Sequence, residues 1–135
     1  MHKIQRITII RTTPPITTDI NEELQWIGGS LGLFNLRDKD KSCFRIFIEL
    51  IKNTRNDQVV SSDELAFKLS LARGTVVHHL NKLLDAGIIV VNRNKYELPV
   101  NSLSELVDLI EADFEKSIQE MRAVAKGVDA KLGLD

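Results

Sequence analysis

The chain has 135 residues, 43% hydrophobic and 27% charged, which is one domain's worth with room for an appendage and is not the composition of a disordered tail. A formal net charge of −1 argues against a generally basic nucleic-acid binder, and the single cysteine, Cys43, excludes an intrachain disulfide and points to a reducing compartment. No apolar run approaches the roughly 18 residues that span a bilayer. The opening MHKIQRITIIRTTPP is broken by Gln5, Arg6 and Thr8 and does not read as a signal peptide, so a soluble, cytoplasmic protein without membrane association is expected.

In chain order, residues 3–12 are rich in Ile and Thr and predict a short strand, which Pro14 and Pro15 stop. Thr18 then opens a helix with Ile20, Leu24, Ile27 and Leu31 at helical spacing, weakened at its far end by Gly28-Gly29. The segment NLRDKDK is a charged linker. From about Asp40 to Asn53, Phe44, Phe47, Ile48, Leu50 and Ile51 form the apolar stripe of a second helix, with Cys43 read as a small buried hydrophobe. After the loop NTRNDQVV, Ser61 and Glu64 make a capping box for a third helix that turns Leu65, Ala66 and Leu69 inward. A fourth helix runs from Arg73 to Asp85 and is ended by Gly87. Two β-prone runs around NRNK predict a hairpin, closed by Pro99, and Ser102 with Glu105 offers another capping box for a last helix reaching about residue 132.

This order predicts a mainly α fold with a small β-hairpin: a winged helix-turn-helix with a long C-terminal helix. The expected organisation is an N-terminal extension (residues 1–38), a winged-helix DNA-binding domain (residues 39–100) and a coiled-coil-like dimerisation helix (residues 101–135). Charge is unevenly placed along it. Residues 68–95 carry Lys68, Arg73, Lys82, Arg93 and Lys95 against Asp85 alone, whereas residues 101–135 carry eight acids and four bases.

At 100° per residue, Val76, Leu80 and Leu83 share the core side of the fourth helix. Thr75, His78 and Lys82 project from the far side, with Gly74 and Asn81 beside them and Arg73 at the helix start. Arg and Asn suit bidentate contacts to base edges, and Lys and Thr suit phosphates. Gly74 would let a phosphate backbone come close. A polar helix face is ordinarily just solvated; the cations Arg93 and Lys95 on the hairpin tip, where a wing would straddle the backbone, tip the balance toward DNA.

The stretch SSDELAFKLSLARGTVVHHLNKLLDAGIIV, followed by a short hairpin, resembles the arsenic-repressor (ArsR-like) winged-helix transcriptional regulators, archaeal members especially. The resemblance spans residues 40–98. It implies a homodimer whose terminal helices pair and whose two recognition helices read a near-palindromic site. Ala72 departs from it, standing where many relatives place a Ser or Thr cap.

Metal sensing is not expected, because one Cys and three His offer no ligand cluster, and the neighbours His78 and His79 diverge by about 100° on a helix. No cofactor is expected, and no small-molecule effector can be named. In the last helix Leu103, Val107, Ile110, Phe114, Ile118, Met121, Ala125, Val128 and Leu132 form a heptad-like seam with one stutter, too long for so small a domain to cover. Pairing with a second copy is the expected solution; folding of residues 103–118 over the domain is the competing one. Function is then expected to be sequence-specific DNA binding by a homodimeric transcriptional regulator. The alternative is a protein-interaction module of a transcription or RNA-processing assembly. An enzyme is disfavoured by the lack of a Gly-rich phosphate loop or nucleophile motif.

Overall fold

The computed structural model describes residues 5–34 and 41–134. Its elements are α1 (Ile20–Ser30), α2 (Ser42–Arg55), α3 (Ser62–Leu69), α4 (Arg73–Asp85), β1 (Val90–Asn92), β2 (Lys95–Glu97) and α5 (Leu103–Leu132). This is the mainly helical, winged helix-turn-helix arrangement with a long final helix that the sequence predicts.

The predicted N-terminal strand is not there: residues 5–12 are extended but pair with no strand. They form a strap whose donors find free carbonyls at helix ends instead. Arg6 N donates to Asp85 O at 3.1 Å, Gln5 Nε2 to Ala86 O at 3.2 Å and Ile10 N to Ser30 O at 2.8 Å. The last carbonyls of a helix have no partner within it, so a β-prone run nearby satisfies them without any sheet edge. Residues 3 and 4 of that run lie outside the described residues, as does the linker up to Asp40.

α1 starts one residue later than expected, with Asp19 accepting from Asn21 N. It continues through Gly28-Gly29 rather than failing there. A Cβ on Gly28 would lie 2.6 Å from Phe44 Cδ1, so this glycine serves close approach between α1 and α2. Phe34 stacks on the same ring, with centroids 4.9 Å apart.

In α2, Cys43, Ile46, Phe47 and Leu50 are buried; Phe44, Ile48 and Ile51 of the predicted stripe are half-buried at its margin. α3 carries the predicted capping box, with Glu64 N donating to Ser61 Oγ and Ser61 N to Glu64 Oε1, both at 3.1 Å. Ser70, in the left-handed conformation, ends α3 and makes the tight turn into α4. Val76, Leu80 and Leu83 of α4 are fully buried against α2 and α3, and Gly87 (φ +76) takes the left-handed position after its end.

The hairpin turns through Arg93 (φ 52) and Asn94 (φ 63), the two left-handed residues of a type I′ connection, with Asn92 paired to Lys95. Val60 bridges to the outer edge of β2 at Tyr96, whose N–H donates to Val60 O at 2.7 Å. This end of the segment read as a loop is thus a sheet partner that fixes the wing against the start of α3.

Core side chains also come from both flanks. Leu33, after α1, is buried, and Ile7 of the strap packs against the core. Leu106 and Ile110 bury the first turns of α5. Ser102 caps that helix as predicted, but Glu105 reaches back to Asn101 N rather than to Ser102 N. Beyond Glu111 almost every residue of α5 is exposed or half-exposed, because the domain ends there and the helix does not.

Candidate nucleic-acid interface

α4 presents its polar flank outward, because its aliphatic flank is locked between α2 and α3. Arg73, Gly74, His78, Asn81 and Lys82 are exposed and Thr75 is half-buried. A Cβ on Gly74 would meet nothing within 4 Å, so the helix start is open to an incoming surface. Ala72 supplies no side-chain cap, which leaves the first N–H groups of α4 to solvent or a ligand.

Most cations predicted for this face have partners within the chain. Arg73 Nε lies 3.1 Å from Asp63 Oδ1 in the first turn of α3. That bond uses one edge of the guanidinium and leaves other N–H groups for a second acceptor. Lys82 Nζ donates to Gly32 O at 3.2 Å, tying α4 to the segment after α1. Lys95 Nζ is 2.6 Å from Glu64 Oε1, tying the wing to the capping box of α3. This ammonium, followed by the Ser61 amide and hydroxyl, holds the Glu64 carboxyl down from its ordinary 4.5 to about 2. Arg93 stands exposed at the wing tip, and its side chain makes no hydrogen bond or ion pair among the described residues.

Of the three acceptors, the sequence singles out only Glu64, and that as the capping-box partner of Ser61 rather than as a mooring for the wing. Only the packing of α3 against α4 and the wing brings Asp63 beside Arg73 and Glu64 beside Lys95. Gly32 O has no sequence signal at all. The strap is equally unannounced: Arg6 and Thr8 line one groove of about 380 Å³ with His78, Asn81 and Lys82.

His78 is exposed and stands edge-on to the half-buried His79, ring centroids 5.3 Å apart. Among the described residues, no three His, Cys, Asp or Glu side chains are grouped so as to hold a metal ion. Nor is any helix among them long and apolar enough to cross a membrane.

The predicted seam of α5 divides in two. Ile110 is buried and Leu103 half-buried within the chain's own core, joined there by Leu106, which the seam did not include. Val107, Phe114, Met121, Ala125, Val128 and Leu132 are exposed and Ile118 is half-buried. Val124 and Leu134 add exposed apolar surface beside them.

Residues 56–91 match the family model of the bacterial regulatory protein, arsR family. The match runs from the end of α2 through α3, the turn and α4 into β1, and so covers the helix-turn-helix just described. It supports a DNA-binding transcriptional regulator of ArsR-like type, a regulatory family and not a catalytic one. No curated protein and no solved structure matches the chain.

Proposed function

We propose that this protein is a sequence-specific DNA-binding transcriptional regulator that acts as a homodimer. α4 enters the major groove with Arg73 and Asn81 toward base edges, Thr75 and His78 beside them, and Arg93 carries the wing to the backbone. The observation that carries the reading is the outward polar flank of α4, open at Gly74, on a segment matching the arsR family. Lys82 and Lys95, being bonded to Gly32 and Glu64, hold the recognition helix and wing in place as well as adding positive potential.

Dimerisation is supported by α5. From Phe114 to Leu132 its apolar residues follow a heptad rhythm and stay largely exposed, although Ile118 is half-buried and Phe114 and Met121 border a groove beside the strap. Two weak half-site contacts joined through such a pair act as one, with effective concentration replacing free diffusion.

Selection of bound sequences from a random duplex pool tests this reading. A recovered motif with two related half-sites is the expected result; recovery of no motif would overturn sequence-specific readout. Phe67, 89% exposed on α3, favours the second reading, an interaction module for another protein. A monomer by light scattering that shifts no duplex would support that module instead.

A further inference from the structure

We propose that the N-terminal strap is part of the DNA surface, with Arg6 as a phosphate-binding residue beside the C-terminal half of α4. This deepens the DNA-binding reading and rests on it. Strap residues alternate sides, as extended backbone requires. Ile7 packs on the core, whereas Arg6 and Thr8 are exposed and border the groove of His78, Asn81 and Lys82 as well as a second groove beside Asp113 and Phe114 of α5. The backbone keeps Arg6 there: its own N–H is bonded to Asp85 O, and the neighbouring Gln5 side chain to Ala86 O.

Its guanidinium, in contrast, is unspent. Arg73, Lys82 and Lys95 each hold an acceptor within the chain, whereas the Arg6 side chain makes no hydrogen bond or ion pair among the described residues. One acid, Asp85, lines this groove against the cations Arg6 and Lys82, and a second, Asp113 of α5, lines the groove on the other side of the strap. The ligand chemistry that fits is a phosphodiester oxygen: a planar fork of donors suits it, and it would lie where duplex reaching His78 and Asn81 must pass. Such a contact adds affinity and register and reads no base.

The test is titration of the full chain against two fluorescent duplexes, a selected sequence and a random one, over a range of salt. Arg6→Ala is expected to weaken both by the same factor, about five- to tenfold, and to flatten the salt slope by about one ion. Arg6→Lys is expected to restore most of that loss, and the melting temperature is expected to stay put, because the strap is anchored by main-chain bonds, the Gln5 amide and Ile7, none of which the substitution alters. Unchanged affinity and slope in Arg6→Ala, while Arg73→Ala weakens binding, would overturn the role of Arg6 and leave the regulator reading intact. Tighter binding by Arg6→Ala, or a loss accompanied by a lower melting temperature that Arg6→Lys does not rescue, would also overturn it. Wild-type protein that binds neither duplex would overturn both readings.

Discussion

Lys95 on the wing and Glu64 on α3 are joined at 2.6 Å, through the same carboxylate oxygen that accepts from Ser61 N. One acid therefore caps a helix and moors the hairpin. Its carboxyl is held at about 2, so the ionised form is favoured by folding. This contribution is whole above about pH 4.5 and fades as pH falls toward 2. Glu64→Gln is expected to melt at a lower temperature than wild type at pH 7, with the gap closing across that acid window. Melting curves at pH 7, 4 and 2.5 check it, and a gap that stays constant would contradict the mooring.

Gly74 separates stability from binding. Replacing an exposed helical glycine by alanine is expected to stabilise by up to about 1 kcal/mol. There is room for the methyl group within the chain, since nothing lies within 4 Å. If a phosphate backbone occupies that space in the complex, Gly74→Ala will raise the melting temperature and weaken duplex binding by about tenfold or more. Thermal melts paired with anisotropy titrations measure both signs in one preparation.

Gly28 is expected to behave the opposite way. A side chain there drives into the Phe44 ring, which is itself stacked on Phe34. Overpacking of this kind costs about 1–3 kcal/mol. Gly28→Val should lower stability in urea melts by that amount, and Phe44→Ala in the same background should recover part of the strain.

The uncovered part of α5 sets the fourth expectation. Light scattering should give twice the 15.2 kDa chain mass. Phe114→Glu together with Val128→Glu puts charges into the seam without touching Leu106 or Ile110. The double variant should run as a folded monomer with duplex affinity reduced by about a hundredfold or more, as the second half-site contact is lost.

The helix-turn-helix was legible because its signals are local. The Ser61 box, the Val76–Leu80–Leu83 stripe and Gly87 each depend on residues a few positions apart. The hairpin turn was legible in position, though Arg93-Asn94 is a less usual left-handed pair than one containing glycine. What stayed hidden depends on tertiary approach. The Ile- and Thr-rich start satisfies a strand pattern, yet its donors go to helix-end carbonyls that no periodicity reveals. Gly28 looked like a weak helix end because the ring of Phe44, sixteen positions on, cannot be seen from its neighbours. The α5 seam was continuous by spacing alone, and only the packing of Leu106 and Ile110 on the domain divides it. Nor did the cationic flank of α4 show in advance which charges it would spend at home.

Under the pairing proposed for α5, the molecule would also gauge its own abundance. A helix with little tertiary packing keeps a helicity in water that depends on its length and on temperature, since in proteins most helical stability comes from packing an amphipathic face. On dilution its far end should fray first, and ellipticity should fall while the globular part stays intact. Occupancy of a promoter by such a dimer would then answer to the cellular copy number more steeply than one-to-one binding permits, since each fall in concentration would remove partner and rigidity together.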